Sequence, residues 1–127
     1  MASRESFRQA AAKILSVKRA EVRPDLLVIS AAGEIDALSV RLLQHATWQD
    51  LAPVTVLDLS RVTFLGAVGM RALGQVAQRA HVEGRRLCFV IPAHPVSVVL
   101  LTFWTDARVF LYPTLAEALE ANPARPD

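Results

Sequence analysis

The segment Val54–Met70, VTVLDLSRVTFLGAVGM, constrains this chain more than any other. Its first half, Val54-Thr55-Val56-Leu57, is apolar and β-branched without clean alternation. That pattern predicts a strand over Val54–Leu59 buried on both faces. A short hinge follows, then Phe64-Leu65, and then Gly66-Ala67-Val68-Gly69 opens a helix. A buried parallel strand of this kind hands the chain to a helix N-terminus, whose unbonded N–H groups and dipole point outward. Such a turn is a common place for a site. Here no Ser, Thr, Asp, Cys or His lies between Phe64 and Met70, so the tip has no nucleophile, no base and no phosphate acceptor.

The remaining chain falls into elements around that strand. Residues 1–13 have helical composition and read as a loose tail, an added helix or a dimer contact. Ile14–Val22 and Leu26–Ala32 read as two strands of an antiparallel hairpin, with Arg23-Pro24-Asp25 as its turn. Gly33 then breaks the strand. Asp36 can cap a helix over Ala37–Trp48, with Leu38, Leu42, Leu43 and Ala46 as its apolar stripe. The next helix, Val68–Glu83, has Met70, Leu73, Val76, Ala77 and Ala80 on its apolar side and stops at Gly84. Arg71, Gln75 and Gln78/Arg79 share a polar face. Arg86–Ile91 is a strand, Pro95–Trp104 a helix, and Val109–Leu111 a short strand. Thr114 and Glu117 form a capping box for a last helix. Trp48 and Trp104 read as helix-end packing residues, and Asn122–Asp127, with two prolines, as a flexible end. The predicted class is α/β: one domain, order ββαβαβαβα, with helices over a mixed sheet of four to five strands.

Composition narrows what the chain can do. Its 127 residues suffice for one core and are too few for two domains. Twelve of the fourteen basic residues are Arg, scattered against twelve acidic ones, so no nucleic-acid footprint is expected. No apolar run is long enough to cross a bilayer, and Met1–Glu5 lacks the pattern of a secretory signal, which makes a cytoplasmic protein the expectation. Cys88, the single cysteine, reads as a small core residue. His45, His81 and His94 have no ligand-spaced neighbours, so no metal and no cofactor are expected. Glu34 ends a strand and Asp36 is read as the cap of the following helix, so no carboxylate pair for acid–base work is expected. With no glycine-rich nucleotide loop and no nucleophile elbow, no catalysis is expected. Ser39, Ser60 and Thr63 read as structural hydroxyls.

Several of these segments together resemble the STAS domain family, the bacterial anti-sigma-factor antagonists and their relatives. The resemblance rests on Asp58-Leu59-Ser60, Phe64-Leu65, Gly69-Met70 and Gly33-Glu34-Ile35-Asp36. It rests further on Asp106-Ala107-Arg108-Val109-Phe110 and Thr114–Leu119, and it covers residues 15 to 121. It implies a domain over 14–121, between an N-terminal extension, 1–13, and a tail, 122–127. It also implies an anti-sigma factor as partner, often an ATP-dependent kinase, with a sigma factor freed on binding. In the family a phosphorylatable Ser stands where this chain has Ala67, an Asp where it has Gly66, and a further Ser or Thr where it has Val68. The resemblance thus points to a partner surface of Asp36, Gly66, Ala67, Val68, Gly69, Arg71 and Gln75 that is not switched at the usual place, in a monomer or weak homodimer. Asp36 reads first as a helix cap, and the resemblance also places it at the rim of that surface, a compatible role. The other reading is a sensory or scaffolding STAS module that binds a small ligand or belongs to a signalling or transporter-associated complex.

Overall fold

The computed structural model describes residues 4–91, 94, 96, 97, 100, 104 and 108–124. Its central strand is β3 (Val54–Leu65). Val56 and Leu57 point to opposite faces of the sheet and are both fully buried, as their unalternating sequence predicts. β2 (Leu26–Ile35) and β4 (Arg86–Val90) flank β3 in parallel. β1 (Leu15–Arg23) pairs antiparallel with β2, and β5 (Val109–Tyr112) pairs parallel with β4. The order across the sheet therefore follows the order along the chain.

One face of the sheet carries α2 (Val40–Trp48) and α3 (Ala67–Val82). Leu43 and Leu73 meet Ile29, Leu57 and Phe89 there in the larger core. The opposite face holds a smaller core of Leu26, Val28, Val56, Cys88 and Val90, closed by Ala118 of α4 (Leu115–Glu120). The Thr114 hydroxyl accepts the Glu117 N–H at 3.1 Å and starts α4, which is the Thr half of the predicted capping box. Cys88 is fully buried, and that burial pushes its thiol pKa up, which suits a core residue. A further helix, α1 (Arg4–Ile14), runs directly into β1.

The mixed α/β order is observed for the elements inside the described residues. The helix expected over 95–104 and the Asp106–Ala107 part of the ending motif lie largely outside them. Of that stretch, Val96 and Leu100 are buried, and Trp104 packs on Phe89 with ring centroids 5.1 Å apart.

Five local expectations are corrected. Gly33 does not break its strand: it pairs with Leu15 and Val62 inside β2 at φ +116°, and a Cβ there would lie 2.1 Å from the Ile14 carbonyl oxygen. The glycine lets two strands cross closely rather than ending one of them. Nor is there a hinge after Ser60. Because β2 continues to Ile35, it offers ladder partners as far as Leu65, and the surplus residues of β3 are absorbed at two register shifts. The buried stripe of α2 is Val40, Leu43, Ala46 and Thr47, while Leu38 and Leu42 are only half-buried. Trp48 is exposed rather than packed. Asn122 is buried and its amide donates to the Ala118 carbonyl at 2.7 Å, so a flexible end does not begin there.

Candidate functional site

β2 and β3 end side by side, Ile35 paired with Leu65, and each delivers the chain to a helix on the same face of the sheet. The Gly66 N–H donates to the Ile35 carbonyl at 3.0 Å, which ties the start of α3 to the residue before Asp36. Two helix N-termini therefore stand together at one end of the molecule. Of the residues expected at the surface, Asp36, Gly66 and Val68 are half-buried there, and Ala67, Arg71 and Gln75 are exposed.

The first of the two starts is closed by its own side chains. The Asp36 carboxylate accepts the N–H groups of Leu38 and Ser39, each at 3.0 Å. In return the Ser39 hydroxyl accepts the Asp36 N–H at 3.0 Å and lies 2.6 Å from the Glu34 carbonyl, to which it donates. Ser39 is fully buried and structural. The N–H of Ser39, chiefly, holds the Asp36 carboxyl below the usual carboxylate range. Asp36 thus caps the turn leading into α2, whose first regular residue is Val40 rather than Ala37.

The second start is bare. Gly66 is its N-cap residue, no acidic residue occupies the first turn, and among the described residues no side chain accepts from the Ala67, Val68 or Gly69 N–H groups. Ala67 presents a methyl group to solvent. Beside it, Phe64 is also exposed, whereas Val68 and Met70 pack partly against the larger core. Gly69 is buried. A Cβ on it would come within 2.6 Å of Leu65 Cδ1 and 2.7 Å of Ile35 Cγ2, so its role is to let α3 approach the ends of β2 and β3.

Down α3 the polar face divides. Arg71, Gln75 and Gln78 are exposed, but Arg79 is tied down. Its guanidinium donates to the Thr47 and Gln49 carbonyls at 2.6 and 2.9 Å and to Glu83 at 2.7 Å. It also lies over the Trp48 ring, 5.7 Å from the centroid. Sequence reasoning missed Trp48 and the clamping role of Arg79. The signal for both lies in the pairing of α2 with α3, which the residue pattern of either helix alone does not contain. Ser60 is half-buried with its N–H on Asp58, and Thr63 is exposed. Among the described residues no three of His, Cys, Asp and Glu gather as metal ligands, and no helix is long and apolar enough to cross a membrane.

Solved structures share this architecture. An anti-sigma factor antagonist from Mycobacterium paratuberculosis is similar at 30% identity with a TM-score of 0.73, over 84% of this chain and 92% of that one. A putative anti-sigma factor antagonist from Thermotoga maritima is similar at 18% identity, TM-score 0.67, over 84% and 92%. The Bacillus cell fate determinant SpoIIAA in its phosphorylated form is similar at 16% identity, TM-score 0.63, over 84% and 98%. These last two likenesses show the fold alone. No curated protein sequence matches. Residues 18–118, most of the chain, match the STAS domain family. With the sheet order, the paired helix starts and that match in hand, the chain belongs to the STAS domain family.

Proposed function

We propose that the chain is an anti-sigma-factor antagonist. It binds an anti-sigma factor by protein–protein contact in the bacterial cytoplasm and so frees a sigma factor, without catalysis and without a phosphorylation switch at Ala67. One observation carries the reading: the start of α3 is exposed, lacks a capping side chain and presents only a methyl group at residue 67. Its 30% identity to an anti-sigma factor antagonist supports the choice of partner. The contact face is Asp36, Gly66, Ala67, Val68, Arg71 and Gln75, with Gly69 setting the height of the helix start from below.

The chemistry of the switch follows from residue 67. A phosphate at such a tip adds about −1.5 to −2 charge and three acceptor oxygens, which disrupts a packed contact that lacks compensating cations. A methyl group accepts no phosphate, so binding is constitutive and control passes to expression, redox, a ligand or another position. Calorimetric titration with the cognate anti-sigma factor, with and without ATP, tests this. The expected result is one affinity in both conditions, weakened about tenfold or more by Ala67→Glu and by Arg71→Glu with unchanged melting. ATP-dependent loss of binding with phosphate on Ser60 or Thr63 would overturn constitutive action. Unchanged affinity in both variants would overturn the assigned face. Failure to bind any anti-sigma factor would move the chain to the sensory or scaffolding reading.

A further inference from the structure

Apolar side chains stand together where β2 and β3 end. Ile35 pairs with Leu65, so Ala37-Leu38 and Ala67-Val68, which follow them, share one end of the molecule with Phe64. Ala37, Phe64 and Ala67 are exposed, and Leu38 and Val68 are half-buried. Phe64 is the large member, 48% exposed. Its outward aim is built into β3. In an unbroken strand that buries Val62, side chains alternate, so Phe64 would turn to the core and Leu65 away from it. The register shift between the Gly33–Val62 and Glu34–Phe64 pairs inserts Thr63 as a surplus residue and reverses that choice. Val62 and Leu65 both join the larger core, and the bigger, more apolar ring is left outside. The ring lies against the start of α3, since a Cβ on Gly66 would stand 3.3 Å from Phe64 Cε1 and 3.7 Å from Cζ. Phe64 is therefore continuous with the bare turn that carries Ala67.

We infer that Phe64 is the aromatic anchor of the docking surface and enters an apolar pocket of the anti-sigma factor. This rests on the docking reading above and adds to it a specificity-determining residue and the chemistry that residue requires of the partner. A lone exposed apolar side chain is ordinary, whereas an aromatic ring within an apolar patch is the make-up of an interface centre. Charges of both signs, Glu34 and Asp36 with Arg61 and Arg71, stand within a few residues of the patch along the chain. No one sign prevails among them, so the patch selects by burial of carbon rather than by charge. A second copy of the chain suits it poorly. A two-fold contact centred here would set the uncapped N–H groups of one α3 start against those of the other, donors facing donors. A different protein can bring acceptors to the rim as well as a pocket for the ring.

The test puts 4-fluorophenylalanine in the full chain at Phe64 or, as a control, at Phe110, which is 43% exposed on the edge strand β5. The fluorine resonance is compared in light and heavy water, with and without the cognate anti-sigma factor. The expected result is a solvent isotope shift at both positions in the free chain, lost on binding at Phe64 and kept at Phe110. In calorimetric titration Phe64→Ala should bind about thirty-fold more weakly, with Val22→Ala, exposed on β1, unchanged. Urea unfolding of each variant separates lost contact from lost fold. The fluorine arm needs no destabilising change, so it decides the question even where Phe64→Ala unfolds. A fluorine at Phe64 that stays solvated in the complex overturns the anchor. So does a folded Phe64→Ala that binds like the wild-type chain while Ala67→Glu and Arg71→Glu bind weakly, and tip docking then stands. Affinity indifferent to all three changes overturns the docking face and the anchor together. Loss of the solvent shift at Phe64 as the chain alone is concentrated would assign the patch to a second copy, and would overturn the pocket in the anti-sigma factor.

Discussion

The starts of α2 and α3 sit side by side on neighbouring strands, yet they satisfy their backbones in opposite ways. At α2, Asp36 and Ser39 exchange hydrogen bonds, and Ser39 also reaches the Glu34 carbonyl, so the start is closed from within. At α3, Gly66 brings no side chain, and Ala67 and Val68 bring only carbon. Orphan N–H groups at a helix start must find a partner somewhere. Where the chain supplies it, the start is architecture; where it does not, the partner is water or another protein. The same contrast separates the two arginines of α3, since Arg79 is consumed by internal carbonyls while Arg71 remains on the surface.

The largest effect should come from forcing the bare start out of place. In Gly69→Val the new side chain would meet Leu65 and Ile35, both with atoms nearer than 3 Å to where a Cβ stands. Ile35 is branched at that point and held in its strand, so α3 must lift. The expected destabilisation is about 2–3 kcal/mol, read by urea unfolding. A neutral result would mean the helix start floats, and that its height carries no information for a partner.

Next comes the closed start. Ser39→Ala leaves the Asp36 N–H and the Glu34 carbonyl without their bonds in a buried place. The expected cost is about 1–2 kcal/mol with no change in partner affinity. Combining it with Asp36→Ala should cost less than the sum of the two, because one network is being removed twice. Additive losses would show two independent caps and weaken the contrast with α3.

The same network predicts a pH dependence. The Asp36 carboxyl titrates lower in the folded chain than its ordinary value of 3.8, chiefly because the Ser39 N–H bonds the charged form. A depressed carboxyl contributes stability that is fully present above 3.8 and lost as pH falls through its lowered folded value. The stability gap between the wild-type chain and Asp36→Ala should therefore be flat from pH 7 to about 5 and narrow below about 4. A gap that persists undiminished at pH 2 would assign the role of Asp36 to shape rather than charge.

How far the residues announce this molecule depends on whether their effect is local. The double burial of β3 was legible because a run without alternation has no solvent face, as Val56 and Leu57 show. The Thr114 cap and the Asp36 cap were legible because each acts within three residues. Gly33 misled because a glycine after a strand looks like a stop. Its reason for being there is the Ile14 carbonyl, which only the folded hairpin brings against it. Trp48 misled in the same way: apolar residues at helix ends usually pack, and nothing short of α3 lying alongside reveals that Arg79 holds the ring from outside the core. At the tip, the absence of hydroxyls was plain from the chain, whereas the burial of Gly69 beneath the exposed Ala67 required Ile35 and Leu65 to be in place.

The smallest effect is the most discriminating. Gly66→Ser gives α3 the kind of cap that α2 already has. The site admits it: Gly66 has the extended backbone of an N-cap residue, φ −84° and ψ 177°, and a Cβ would stand 3.3 Å from a Phe64 ring carbon that can turn aside. A Ser hydroxyl there can accept a first-turn N–H, and replacing an N-cap Gly by Ser should stabilise the chain by only a few tenths of a kcal/mol. If those N–H groups meet the partner, the variant melts slightly higher yet binds the anti-sigma factor more weakly, because the bonds are already made. Stability and affinity then move in opposite directions from one hydroxyl, which neither a general loosening of the fold nor a simple steric block would produce. Equal affinity with raised stability would mean the bare amides face water in the complex, and that the methyl of Ala67, rather than the backbone beneath it, is what the partner touches.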